Sequence, residues 1–219
     1  MISVDGVTKR FGTFTAVDDI SLSVNLGDVL GFMGPNGSGK TTTMRMVAGY
    51  LPITSGTISV CGSDVESNPL AIKAHIGYLP EGSPLYGDMT PASLLRYIAR
   101  IRGYWGAAIN KRVELAVDKM SIGSVFNRPI DTLSKGFKRR VGLAQAILHD
   151  PDVLIMDEPT DGLDPNQKHQ VRTIITEMSP HKAIVISTHI LEEVTAVCNR
   201  AAIIEAGKLV FLSLNFSNM

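Results

Sequence analysis

An excess of charge of either sign is missing from this chain. Lys+Arg and Asp+Glu both count 21 in 219 residues, so no global field draws it to nucleic acid or an anionic membrane. No window approaches the ~20 uninterrupted apolar residues of a membrane-spanning helix, so any membrane role must come through a partner. The opening MISVDGVTKRF lacks the apolar core of a secretory leader. Cysteine is scarce: Cys61 and Cys198 form no motif, and their apolar settings predict small buried thiols in a reducing compartment. Internal repeats, sustained heptads and low-complexity linkers are missing too. These absences describe a soluble, cytoplasmic chain.

What is present is an ordinary globular mixture, 44% apolar and 19% charged, enough for one substantial core or a core with a subdomain. Alternation in ISVDGVTKRF and FTAVDDISLSV predicts two strands. VLGFMG reads as a buried strand that feeds a helix, KTTTMRMVAGY, broken at Leu51-Pro52. TISVCG and HIGYLPE predict two more strands. The pattern then changes: Thr90-Pro91 is a helix start, and Leu94, Leu95, Ile98 and Ile101 share a helical face. NKRVELAVDKM repeats that pattern, and a third helix is expected from Ser134 to His149. Tyr86, Met89, Leu94, Tyr97 and Trp105 are expected mostly in the core, and Lys138-Arg139-Arg140 on a solvated helix face. VLIMDEP, NQKHQVRTIITEM, AIVIS, ILEEVTAVC, AAIIEA and KLVFL restore strand–helix alternation, which implies an α/β fold with a mainly parallel sheet. The final NFSNM is polar and abrupt, as expected of a frayed or truncated end.

The strongest motif is GPNGSGKTT, a complete phosphate-loop pattern between a predicted strand and a predicted helix. Gly34, Pro35, Asn36, Gly37, Ser38 and Gly39 form the turn, and N–H groups from Gly37 to Thr42 would point at phosphate. Lys40 would reach the β- and γ-phosphates, and the Thr41 hydroxyl would ligate Mg²⁺. VLIMDE then delivers Asp157 to the carboxyl end of a strand, where a carboxylate holds Mg²⁺. Glu158 is the expected general base for an attacking water. An acidic pair after a strand is by itself a solvated strand end; the phosphate loop makes it a site.

Weaker candidates surround this set. His189, after Ser187-Thr188, is placed to hydrogen-bond a γ-phosphate; Glu81 follows another strand; Phe11 could stack on adenine. His189 and Glu192 have metal-ligand spacing but no third ligand. LSKGF, from Leu133, looks like a second anion-binding helix start, which one nucleotide site does not need.

In order, the aromatic, GPNGSGKTT, YLPE, LSKGF, VLIMDEP, DGLDP and STH resemble the nucleotide-binding domain of ABC transporters, over about Ile2 to Leu212. Glu81 stands where the family usually has Gln, and LSKGF where it has LSGGQ, both as in the multidrug and gliding-motility exporter branch. The resemblance implies the ABC ATPase fold: a phosphate-loop NTPase core, an N-terminal antiparallel β subdomain and an inserted helical subdomain. It places a single domain over 1–219, with the nucleotide-binding core in 1–85 and 150–219 and the helical subdomain in 86–149. It also explains the second phosphate site. Two ABC ATPase subunits, identical or not, pack head to tail, and Ser134 and the Gly136 amide of one cover the ATP held by the other. Asp164 would lie at that junction and help place Glu158.

By the same resemblance Glu81 joins Asp157 and Thr41 around Mg²⁺, while Phe137 lacks the hydrogen bonds of a Gln. An integral membrane permease would dock on the helical subdomain and the Glu81 loop, holding the chain at the inner face of the cell membrane, with no nucleic-acid partner. The function implied is Mg²⁺-dependent ATP hydrolysis powering transport, with export indicated by the branch. A cytosolic ABC ATPase acting on DNA or ribosomes is the alternative, although no coiled-coil insertion is present. A GTPase would need Asn-Lys-x-Asp, and Asn110-Lys111 is followed by Arg-Val. A non-catalytic nucleotide-binding module is the remaining reading.

Overall fold

The computed structural model describes residues 1–82 and 84–213, so the NFSNM expectation lies outside the described residues. Strands β1 (Ile2–Phe11) and β2 (Phe14–Val24) form a hairpin that sets Phe11 opposite Phe14. With β4 (Ser55–Val60) and β5 (Ser63–Asp64) they build an antiparallel sheet ordered β2-β1-β4-β5. A second sheet has the order β10-β9-β3-β8-β7-β6. In it β3 (Val29–Met33), β6 (Ile76–Leu79), β7 (Val153–Asp157), β8 (Ala183–Thr188) and β9 (Arg200–Glu205) run parallel. Only β10 (Lys208–Leu212), at its edge, is antiparallel.

The apolar strands are continuous because both sheet faces are covered. Along β7, Val153 and Ile155 join Leu30, Phe32 and Met44 beneath the antiparallel sheet, with Met44 carried by α1 (Lys40–Val47). Leu154 and Met156 point the other way, against Leu143 of α5 (Lys135–Ile147) and Ile175 of α6 (Pro165–Met178). Each such fully buried side chain contributes about 1.5–3 kcal/mol.

Helices α3 (Pro91–Ile101), α4 (Ala107–Met120) and α5 share the second of these cores through Leu94, Leu95, Val113, Met120 and Val141. The start of α3 is fixed twice over. Thr90 Oγ1 accepts from the Ser93 amide at 3.1 Å, Ser93 Oγ accepts from the Thr90 amide at 3.0 Å, and Pro91 occupies the first turn. A short helix, α2 (Pro69–His75), and β5 were not foreseen; α2 buries only Ile72 and so leaves no periodic signal. The last helix is α7 (Leu191–Val197).

Several expectations are corrected. Tyr86, Tyr97 and Trp105 are exposed rather than packed inside, Trp105 by 75%: α3 spends Leu94 and Leu95 on the core and turns Tyr97 outward, while Tyr86 and Trp105 lie outside that helix. Arg139 is 6% exposed: it is turned inward from the run that was expected to be solvated. Neither thiol is fully buried. Cys198 packs against Gly31, and burial pushes it up to about 12. Cys61 sits beside an ion pair, His75 Nδ1 to Asp152 Oδ2 at 2.6 Å, and not in a purely apolar setting.

Candidate functional site

The loop from β3 into α1 can be built only with glycine at its tight points. Gly39 has φ +107°, and a Cβ there would lie 2.7 Å from the Ala16 carbonyl oxygen. A Cβ on Gly34 would meet the Ile204 carbonyl oxygen at 2.2 Å. Thr43 closes the first helical hydrogen bond, onto Gly39 O at 2.9 Å. The amides of Lys40, Thr41 and Thr42 precede it, and helix geometry leaves them without an intrahelical acceptor. They border a cavity of about 540 Å³ whose walls include Phe11, Phe14, Asn36, Thr41, Glu81 and Glu158. Lys40, 6% exposed, reaches back to Gly34 O at 2.7 Å and Pro35 O at 3.0 Å. Its ammonium therefore lies inside the loop that a phosphate would enter.

The acidic wall comes from the ends of β7 and β8, paired with Asp157 opposite Ser187. Asp157 is 1% exposed, and its Oδ1 accepts from Ser187 Oγ at 2.5 Å. Its Oδ2 has no hydrogen-bond partner among the described residues. A buried carboxylate with one oxygen left over is suited to a hard cation. Glu158 follows in the left-handed region at φ 50°, uncommon for a residue with a Cβ. Its N–H donates to Ser187 Oγ at 2.9 Å, and its carbonyl accepts from Arg139 Nη2.

His189 does not stand free to meet a phosphate with both ring nitrogens. Nδ1 lies 2.9 Å from Glu158 Oε2 and 3.1 Å from Oε1. Behind this pair Thr188 Oγ1 and Lys168 Nζ donate to Glu193, at 2.7 and 2.9 Å. Burial alone would raise the Glu193 carboxyl, but the hydrogen bonds from Lys168 and Thr188 outweigh it and hold it below the usual range.

Ser134, Gly136 and Asp164 are not among the residues lining the Lys40 cavity. Ser134 is the exposed N-cap of α5, accepting from the Phe137 amide at 3.4 Å. Gly136 is buried against α6, where a Cβ would fall 2.4 Å from the Gln167 side chain. Asp164 caps α6 by accepting from the Gln167 amide at 2.9 Å. Phe137 is half-buried, with the Arg140 guanidinium 4.3 Å from its ring centre. The predicted residues thus fall into two groups, one around the cavity and one at the start of α5.

Sequence reasoning missed Phe14, Lys168, Glu193 and Arg139 as parts of this region. Phe14 had a signal, since a two-residue hairpin turn after Phe11 pairs the two aromatics. The others converge from distant parts of the chain without any spacing to announce them.

A family profile described as "ABC transporter" matches residues 17–161. A protein of Bacillus subtilis (strain 168) named "Uncharacterized ABC transporter ATP-binding protein YhcH" is 36% identical over 213 residues, 96% of this chain and 68% of that relative. A Nod factor export ATP-binding protein I of Ralstonia nicotianae is 35% identical over 211 residues, 96% of this chain and 66% of the relative. The chain thus spans about two thirds of the length of these relatives. A solved structure described as the ATP-binding subunit of an ABC transporter matches with TM-score 0.88 at 26% identity, covering 97% of this chain and 89% of that one. The ATP-binding cassette MJ0796, solved as a post-hydrolysis dimer with ADP and Pi, matches in fold with TM-score 0.88 at 20% identity, over 97% and 98% of the two chains.

Proposed function

The chain belongs to the ABC transporter family, as one of its ATP-binding proteins, and we propose that it hydrolyses ATP to drive a separate membrane permease. The observation that carries this reading is convergence: the Lys40 loop, Glu81 and Glu158 line one cavity, with Asp157 at the adjacent strand end. Lys40 and the amides of Gly37 and of Gly39 to Thr42 hold the phosphates, the Ser38 amide donating to the Pro35 carbonyl at 3.2 Å. Phe11, at the cavity mouth beside Phe14, takes the adenine face. Thr41, Asp157 and Glu81 would hold Mg²⁺, which when bound would neutralise charge on the phosphates. The unpartnered Oδ2 of Asp157 supports that fit. Glu158 accepts a proton from the attacking water, and His189 keeps the carboxylate aligned through Nδ1.

The start of α5 lies outside this cavity, and that separation favours its use by a second subunit. In the proposed closed state, two chains pack head to tail. Ser134 and the Gly136 amide then cover the neighbour's γ-phosphate with the positive end of a helix dipole. Asp164 lies at the same junction. The dimer named for MJ0796 is consistent with such a pairing. The core of 1–85 and 150–219 carries the loop and the acids, and the helical subdomain of 86–149 carries the cover.

Exposed Tyr86, Tyr97 and Trp105 on that subdomain suit a permease contact. No described helix is long and apolar enough to cross a membrane, so the inner-face location depends on that contact. The relatives' names, Nod factor export among them, support transport and export over work on DNA or ribosomes. Titration calorimetry of Lys40→Ala tests the phosphate-loop assignment: ATP binding should be lost, and parent-like affinity would refute it.

A further inference from the structure

Arg139 is the buried member of a basic run on α5, one turn beyond Ser134. Its guanidinium donates through Nη1 to the Pro80 carbonyl at 3.4 Å and through Nη2 to the Glu158 carbonyl. One planar group from the helical subdomain therefore grips the residue before Glu81 and the proposed base itself. Those two carbonyls are separated by 78 positions in the chain, 158 minus 80, and only the fold brings them to one donor.

Charges of both signs surround it: Lys135, Lys138 and Asp161 line the cavity that Arg139 borders. Burial weakens the hold of Arg139 on its proton, while Asp161, Asp157, Glu158 and Glu81 all act to strengthen it. Guanidinium stays protonated in such a setting, and its rigid fork can serve two acceptors where a lysine ammonium serves them less well. The Glu158 backbone also needs a restraint, because a non-glycine residue in the left-handed region is disfavoured locally and persists only when its surroundings fix it.

We propose that Arg139 is a positioning residue: it fixes the Glu158 backbone and the Glu81 loop to α5. The inference rests on the nucleotide-site reading above. Any shift of α5 that accompanies engagement of Ser134 is passed to both acidic residues through this one side chain. Arg139 itself does not line the Lys40 cavity, so nucleotide binding is left to the phosphate loop.

The test compares Arg139→Lys and Arg139→Gln, with Glu158→Gln as reference. Steady-state Mg-ATP hydrolysis is measured beside ATP affinity by calorimetry. Arg139→Gln should lower kcat by about 10- to 100-fold, with ATP Kd within about twofold of the parent, the split expected when only transition-state placement is lost. Arg139→Lys should recover part of kcat, since it keeps the charge.

Parent-level kcat in Arg139→Gln, while Glu158→Gln is inactive, would overturn the role of Arg139 alone. Equal losses of kcat and ATP affinity in both Arg139 variants would overturn it in favour of simple structural support. Parent-level hydrolysis by Glu158→Gln would instead overturn the site reading on which the inference stands.

Discussion

His189 Nδ1 and Glu158 Oε2 lie 2.9 Å apart, joining the turns that follow β8 and β7. The contact follows from strand register: Asp157 is paired with Ser187, so Glu158, one residue on, and His189, two residues on, emerge at the same carboxyl edge of the sheet. A proposed base is thereby oriented before any nucleotide arrives. His189→Ala should lower kcat on the order of 10²-fold through loss of that alignment, with a much smaller change in ATP affinity. Single-turnover hydrolysis set against calorimetric binding separates the two effects. Unchanged single-turnover rates would remove His189 from the mechanism.

Ser187 serves two acidic neighbours at once. Its hydroxyl donates to Asp157 and accepts the Glu158 amide, and it is wholly buried. Ser187→Ala leaves both groups without that partner in a dry setting, which should destabilise the chain by about 1–3 kcal/mol. Denaturant unfolding of the two proteins measures the difference. The same variant should need more Mg²⁺ for half-maximal hydrolysis, because Asp157 loses its anchor.

Acid sensitivity should trace in part to His149, remote from the site. Burial pushes its pKa down to about 4 from an ordinary 6.5, with Arg102, Lys182 and Arg112 adding repulsion; its hydrogen bond to the Ile76 carbonyl acts against them. The folded state thus favours the neutral ring. Its contribution is fully present above pH 6.5 and is lost as pH falls toward 4, as the unfolded chain takes up the proton first. After discounting for solvent contact the loss is about 1–2 kcal/mol. Unfolding free energies from pH 7 to 4.5 should fall less steeply in His149→Gln than in the parent. Glu193, held below the usual carboxylate range, adds its loss only at lower pH.

How far the sequence could be read depended on the range of the signal. The phosphate loop, β3 and α1 were legible because the glycine pattern, the apolar run and the helix start are contiguous. Asp157 and Glu158 were legible for the same reason: the strand that delivers them ends on them. His189 was placed at the correct sheet edge, yet its partner proved to be Glu158, since register across β7 and β8 is a tertiary property. Arg139 was misread because charge in a helix predicts exposure unless an acceptor waits inside. The Pro80 and Glu158 carbonyls that accept from it are backbone groups, which no residue pattern reveals. Tyr86, Tyr97 and Trp105 were misread in the opposite sense, since apolar character in a helical region suggests a core that Leu94 and Leu95 already fill.

The measurement that bears most directly on the shared-nucleotide account is the association state of Glu158→Gln with Mg-ATP, read by sedimentation, with and without Ser134→Arg. Slowed hydrolysis should trap an ATP-dependent dimer in Glu158→Gln. The added arginine should abolish it while each monomer still binds ATP. An ATP-dependent dimer that forms undiminished with arginine at position 134 would contradict the account.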